Sequence, residues 1–168
     1  MTAPVRPRRA KIQARAMRVL NVPMRAILSL PFRTPLSGRL MLVHYVGRKT
    51  GTRYRQPVSY VHDGDVMLTP GGGRWTLSLA TGAAVSVRLA GRDVQLRPEL
   101  VRDADEVQRL LDVMARHNPA IKRFVPLPRT ADGRIVPDAL RAATEHGFCI
   151  VRWHGLSEAG GPAGRDPH

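Results

Sequence analysis

The stretch that decides the fold is VHYVGRKTGTRYRQPVSYVHDGDVML, residues 43–68. It spans parts of two runs, RLMLVHYVG at 39–47 and RQPVSYVHDGDVMLTP at 55–70, which are rich in Val, Tyr and Leu and typical of strands. The pair Asp63-Gly64 between apolar residues predicts a hairpin turn inside the second run. We therefore expect an antiparallel sheet that begins with these strands.

The segments that follow continue this pattern and then add helices. AAVSVRLAGRDVQLRPEL, residues 83–100, alternates apolar and polar residues around Gly91, which predicts a second hairpin with one solvent-facing side. In RDADEVQRLLDVMARHNP, Asp103 is expected to cap a helix that ends at Asn118-Pro119. That helix would bury one stripe, formed by Val107, Leu110, Leu111 and Met114.

A short helix near PDALRAATEHG and a final strand, FCIVRWH, complete the chain's predicted elements. Hairpin-linked strands that are closed by a late strand favour a small barrel with helices on its outside over a parallel sheet. The predicted fold class is α+β, mainly β.

The chain is long enough for one globular domain, because 168 residues of which 43% are hydrophobic can bury a core. We expect that domain at residues 36–155, after a basic arm at 1–35 and before a disordered tail at 156–168. The arm could be solvated, associate with anionic lipid, or act in organelle targeting. The chain has one cysteine, Cys149, which is expected to be buried, and it has no recognisable signal peptide or membrane span. We therefore expect a cytoplasmic protein that could contact the membrane surface peripherally.

Positive charge is concentrated in the first part of the chain. Residues 1–62 contain 13 of the 27 Lys and Arg residues and no Asp or Glu, whereas the remaining sequence is nearly balanced. A local excess needs a local explanation.

The sequence lacks the motifs of several kinds of binding site and catalytic site. Gly47-Arg48-Lys49-Thr50 lacks the earlier glycine of a phosphate-binding P-loop, and no dinucleotide fingerprint follows a strand. The histidines lack metal-ligand spacing, and there is no G-x-S-x-G elbow. No metal site is expected, and the sequence identifies no catalytic residue.

The basic turn GRKTGTRYRQP, residues 47–57, is the strongest remaining feature. Gly47 and Gly51 permit positive φ and could leave backbone N–H groups open to an anion. Four cations could surround that anion: Arg48, Lys49, Arg53 and Arg55. A solvated basic turn is the alternative interpretation.

The span VHYVGRKTGTRYRQPVSYVHDGDVML, followed by GGGRWTLSLA and AAVSVRLAGRDV, resembles the deazaflavin-dependent nitroreductase family. That family has an apolar strand, G-R-[KR]-[ST]-G, a proline that enters the next strand, a glycine-rich loop and W-x-x-N-L. The resemblance covers residues 36–102 and implies a split β-barrel of the flavin-reductase-like type that binds coenzyme F420, with FMN as the alternative.

The resemblance also implies roles for individual residues. Arg48, Lys49 and one of Arg53 or Arg55 would hold the cofactor phosphate, assisted by Thr50, Gly51 and backbone N–H groups. The other implied cofactor-binding residues are Pro57 and Ser59 under the ring, and Gly72, Gly73, Trp75 and Ser78 around it. Tyr60 would lie near the substrate, while Trp75 could instead be a core aromatic and the glycines a plain turn.

The resemblance implies an F420-dependent oxidoreductase that transfers a hydride between the reduced deazaflavin and a quinone-like or other conjugated acceptor. The alternative is a non-catalytic split-barrel protein that holds a flavin, tetrapyrrole or lipid. Ser78, where the family has Asn, and the short glycine loop favour this alternative. Nucleic-acid binding is not expected, because aromatic residues that could stack on bases make up only 5% of the chain. The protein is expected to be a monomer or a homodimer with a small-molecule substrate.

Overall fold

The computed structural model describes residues 39–155, so the arm at 1–35 and the tail at 156–168 lie outside the described residues. The predicted lipid contact of the arm therefore stays a prediction. The elements of the described range are β1 (Leu40–Val46), β2 (Arg53–Ser59), β3 (Val61–Asp63), β4 (Val66–Gly71), α1 (Arg74–Leu77), β5 (Val85–Leu89), β6 (Arg92–Val101), α2 (Ala104–His117), α3 (Ile121–Phe124), α4 (Pro137–Glu145) and β7 (Cys149–Gly155). None of these helices is long and apolar enough to cross a membrane.

The seven strands form one antiparallel sheet in the order β2-β1-β5-β6-β7-β4-β3. The sheet curls until β2 comes beside β4, although the two strands share no ladder. The result is a barrel that is nearly closed and split along one seam. The predicted fold class, a mainly β split barrel with flanking helices, is confirmed.

Both predicted hairpins are present, and their turns have the geometry that the sequence indicates. Gly64 has φ +59° between β3 and β4. Ala90 and Gly91 have φ +50° and +82° between β5 and β6, as a two-residue type I′ turn requires.

Two details of the elements differ from the predictions. β2 begins at Arg53, and Tyr60 separates it from β3 within the run expected to be one strand. The single-turn helices α1 and α3 were not predicted, because four residues are too few to show a helical repeat.

The sheet has a core on each face, because successive side chains of a strand point to opposite sides. The barrel-interior core contains Met41, Val43, Val58, Tyr60, Met67, Leu79, Val87, Leu96, Cys149, Val151 and Trp153. The helix-side core packs Val61, Leu68, Val101 and Ile150 against the buried stripe of α2 and residues of α3 and α4. Each large apolar side chain contributes about 1.5–3 kcal/mol when fully buried, against at most about 1 kcal/mol for an exposed ion pair, so these cores dominate stability.

Helix α2 begins and ends as predicted. The Asp103 carboxylate accepts a hydrogen bond from the Glu106 amide at 2.9 Å, and the Asn118 amide donates to Met114 O at 2.8 Å. The Glu106 side chain does not complete the capping box, because it pairs with Arg109 on α2 at 2.7 Å and with Arg152 on β7 at 2.9 Å.

The Arg152 guanidinium joins α2 to the sheet. It donates to Glu106 on the helix and to Glu99 on β6, both at 2.9 Å. Hydrogen bonding to Arg109, with a smaller contribution from Arg152, lowers the pKa of Glu106 to about 2.

On the interior face, Trp153 is fully buried and its indole N–H donates to the Thr69 hydroxyl at 3.1 Å. Thr69 is also fully buried. The bond joins β7 to β4 inside the barrel and satisfies the buried indole donor.

Replacing Thr69 by Val should lower the free energy of unfolding by about 1–3 kcal/mol, because it leaves the Trp153 indole N–H buried without an acceptor. Urea denaturation followed by tryptophan fluorescence measures the change. The same substitution at exposed Thr52 is the matched control and should change stability by less than about 0.5 kcal/mol. Equal effects of the two substitutions would contradict the role of the Trp153–Thr69 bond.

The Glu106 ion pairs should make stability sensitive to acid. The carboxyl pKa falls from 4.5 to about 2 on folding, so its contribution is complete above pH 4.5 and disappears as pH falls toward 2. Glu106→Gln should therefore show a shallower loss of unfolding free energy between pH 5 and pH 3 than the wild type. Asp105→Asn, which removes an exposed carboxylate of the same helical turn, should keep the wild-type slope.

Candidate functional site

The parts of the candidate site meet at one end of the barrel. β1 and β4 point the same way, because the three strands between them are each antiparallel to the next. The turn after β1 (residues 47–52) and the glycine loop after β4 (residues 71–73) therefore leave the sheet at the same end, here called the upper end. The predicted residues found there are Arg48, Lys49, Thr50 and Gly51 in the turn, and Gly72, Gly73, Trp75 and Ser78 in and after the glycine loop.

The turn closes on itself through its glycines. The Gly47 amide donates to Thr52 O at 2.8 Å, and the Gly51 amide donates to Gly47 O at 2.9 Å. Of the two, only Gly51 has positive φ, +64°. The expectation that both glycine amides are open to an anion is thus wrong, because the tight turn uses them internally.

The cations of the turn lack counter-ions in the part of the chain that the structure describes. Arg48, Lys49, Arg53 and Arg55 are exposed, and no described carboxylate lies within 4 Å of their charged groups. Four positive side chains within eight residues therefore create an uncompensated field, which an anion at the turn would neutralise.

His44 lies directly opposite Arg55 on the outer face of the β1–β2 pair. Burial, opposed by Asp93 and reinforced by Arg55 and Arg88, lowers the pKa of His44. The ring is therefore neutral at pH 7, and its Nε2 is buried without a hydrogen-bond partner. His44 adds no charge to the site.

Two tyrosines that the sequence interpretation overlooked lie beside the turn. Tyr45 and Tyr54 face each other across β1 and β2, and their rings stack with centroids 5.4 Å apart. Tyr54 is 39% exposed. The signal was available in the sequence, because pairing outward from a six-residue turn at 47–52 places Tyr45 opposite Tyr54.

Residue 47 must be glycine because of the neighbouring tyrosine pair, and not because its backbone has a positive φ. A Cβ at residue 47 would come within 2.8 Å of Tyr54 Cε2 and 3.0 Å of Thr50 Oγ1. The absent side chain lets the ring of Tyr54 lie against the backbone of the turn.

The glycine loop is buried where it leaves β4 and open where it reaches α1. A Cβ on Gly71 would meet Thr76, Cys149 and Val151 at 2.9–3.0 Å, whereas one on Gly73 would meet nothing within 4 Å. Gly73 has φ +75°. The backbone at Gly73 is thus the exposed part of the loop.

Trp75 and Ser78 have structural contacts. Trp75 is half-buried and packs against the barrel-interior core, as expected of a core aromatic. The Ser78 amide donates to Trp75 O at 3.1 Å and closes α1. Neither contact uses the Ser78 hydroxyl.

Pro57, Ser59 and Tyr60 are not brought to the turn. Pro57 lies opposite Leu42 and Ser59 opposite Leu40, roughly 13 and 20 Å along β2 from Arg53 at about 3.3 Å per residue. Tyr60 is 7% exposed within the barrel-interior core. Its predicted place near the substrate stays a prediction, and the chain turns its side chain inward between β2 and β3.

Within residues 39–155, no three His, Cys, Asp or Glu side chains cluster closely enough to hold a metal ion. Cys149 is fully buried, as predicted, and burial raises the pKa of its thiol. Neither observation suggests a reactive group at the upper end.

Comparison with known proteins found no matching family model and no matching curated protein. Among solved structures, the chain resembles a putative pyridoxamine 5'-phosphate oxidase from Listeria innocua at 13% identity and a TM-score of 0.47, over 82% of this chain and 94% of that one. It also resembles a putative 5-nitroimidazole antibiotic resistance protein from Bacteroides thetaiotaomicron at 15% identity and a TM-score of 0.48, over 71% and 74% of the two chains.

An F420-H2 dependent reductase, FDR-A, matches at 11% identity and a TM-score of 0.45, over 69% of this chain and 94% of that one. At these identities the likeness is one of fold.

Replacing Gly47 by Ala should lower the free energy of unfolding by about 1 kcal/mol or more, because the new methyl group overlaps the Tyr54 ring. In a Tyr54→Ala background the same replacement should cost clearly less, since the clashing ring is gone. Urea denaturation of the wild type and the three variants of this cycle measures the coupling. Additive effects would show that Gly47 is not kept small by Tyr54.

Proposed function

We propose that the protein is an oxidoreductase that binds F420, with FMN as the alternative, at the upper end of the barrel. The cofactor phosphate would lie at the basic turn, held by Arg48 and Lys49 with Arg53 nearby. The ring system would lie against the exposed face of Tyr54. The observation that carries the proposal is the uncompensated positive charge of the turn beside the stacked pair of half-buried Tyr45 and exposed Tyr54.

The residues present fit such a group. Guanidinium and ammonium groups are the side chains that bind phosphate most strongly, and they project from a turn whose backbone is held by its own hydrogen bonds. An exposed tyrosine offers a flat surface for a planar ring. The open backbone at Gly73 leaves room on the other side of the upper end.

The barrel interior is not available for this ligand. Trp153, Met41, Val43 and Val151 fill it and are fully buried. A cofactor must therefore bind at the rim, where the turn and the glycine loop are, and not inside the barrel as a ligand does in wider barrels.

The cofactor supplies hydride transfer when it is bound, so the protein needs residues that bind and orient and few that act as acids or bases. This agrees with the cations and tyrosines of the turn and with the lack of any Asp or Glu in residues 47–57 and 71–78. We further propose that the hydride acceptor is a quinone-like or other conjugated molecule.

The proposal predicts that Arg48→Ala/Lys49→Ala weakens F420 binding at least about tenfold, because charge-assisted hydrogen bonds to the phosphate are lost. Fluorescence titration of F420 and FMN, side by side, measures the effect and identifies the preferred cofactor. Lys122→Ala/Arg123→Ala removes the same charge from an exposed pair on α3 and is the matched control.

Two results would count against the proposal. Equal weakening in both double variants would show that the turn acts only through the protein's overall charge and is not the phosphate site. If the wild type binds neither cofactor, the proposed function is refuted. Tight binding without oxidation of the reduced cofactor by a panel of quinones would instead favour the non-catalytic binding protein.

A further inference from the structure

The second feature of the barrel with the properties of a ligand site is a cleft along the upper half of β6. β6 has ten residues, but β5 pairs with only the first five, Arg92–Leu96. Beyond Leu96, β6 keeps β7 on one side and has no strand on the other. The loop after α1, residues 79–82, lies there instead, with the Cβ position of Gly82 3.9 Å from Pro98 O.

This β6 cleft, lined by residues 79–82 and 97–100, by Arg102 and by His154, has a volume of about 460 Å³. That size is in the range of sites for small molecules. The cleft thus results from the unequal lengths of β5 and β6.

The floor of the β6 cleft is apolar and firmly held. Leu79 is 1% exposed and belongs to the barrel-interior core, against which Leu100 also packs. Pro98 lies two residues before Leu100 on β6 and is buried. It has no backbone N–H group that would need a hydrogen-bond partner. Of these residues Leu100 is half-buried, so it offers an apolar group a surface that the core already holds in place.

The rim of the β6 cleft is cationic. Arg97 and Arg102 are exposed, and no carboxylate of residues 39–155 lies within 4 Å of either guanidinium. Glu99, the acid that lines the cleft, accepts from Arg152 at 2.9 Å and from His154 at 2.8 Å. Because Glu99 is already paired, it does not serve as the counter-ion of the two arginines.

We propose that the β6 cleft is a second ligand site, for a small amphipathic anion. Its apolar body would lie against Leu100, beside the buried Leu79 and Pro98, and its carboxylate or phosphate would bind Arg97 or Arg102. A guanidinium binds either headgroup through paired N–H donors. The proposal is independent of the cofactor site, since it uses none of the residues of the basic turn.

The test uses anilinonaphthalene sulfonate, an apolar anion whose fluorescence rises on binding, with the full chain. Arg97→Ala/Arg102→Ala should weaken its binding about tenfold, which corresponds to the loss of one charged hydrogen bond. Arg92→Ala/Arg116→Ala, which removes two exposed arginines away from the cleft, should leave the affinity within about twofold. Neutral N-phenylnaphthylamine should bind the wild type and the arginine variants alike.

A variant that fills the β6 cleft tests whether probe binding depends on the shape of the cleft as well as on its charge. Ala80→Trp adds an indole at an exposed lining residue and should weaken both probes without changing net charge. Circular dichroism and the melting temperature establish that each variant is folded before its binding is interpreted.

Competition identifies the headgroup. Displacement of the probe by octanoate, by octyl phosphate or by both supports the site, and the stronger competitor names the preferred anion. Displacement by neither overturns the proposal. So does an equal loss of affinity in the two arginine double variants, or a loss that appears only in Arg48→Ala/Lys49→Ala.

Discussion

The structure depends on the insertion of β7 between β6 and β4. Cys149–Gly155 pairs with β6 on one side and with β4 on the other, so one strand joins the part of the sheet that contains β2, β1, β5 and β6 to the part that contains β4 and β3. Its inner face contributes Trp153 and Val151 to the barrel interior, while Arg152 on its outer face connects Glu99 with helix α2. The relative positions of the turn after β1 and the glycine loop after β4 follow from this one pairing.

Sequence reasoning predicted the local structure well, because each local feature has a local cause. The turn residues Gly64 and Gly91 set the hairpins, and the Asp103 carboxylate and the apolar stripe set helix α2. The position of β7 in the sheet could not be predicted, since an alternating strand pattern shows which face is buried but not which strands are neighbours. The barrel class could be predicted, because few sheet arrangements are possible for consecutive hairpins followed by one late strand.

The site was predicted in part for the same reason. The cations of the basic turn follow from the sequence, but the use of the Gly47 and Gly51 amides depends on how tightly the turn closes. Pro57 and Ser59 were assigned by resemblance, and the rise of an extended strand carries them away from the turn. Tyr45 and Tyr54 could have been found by counting outward from the turn, whereas the β6 cleft required knowing where the pairing of β5 ends.

The pairing of β7 with β4 also bears on how the protein is made. Trp153 and Thr69 are 84 residues apart in sequence, so closing this part of the sheet brings together distant segments and should be slow compared with hairpin formation. A ribosome delivers β4 and β6 well before β7, and during that interval both strands have an unsatisfied hydrogen-bonding edge. Nascent chains of this protein should therefore be most exposed to wrong strand pairing, and to capture by chaperones, between the synthesis of β4 and that of its final partner.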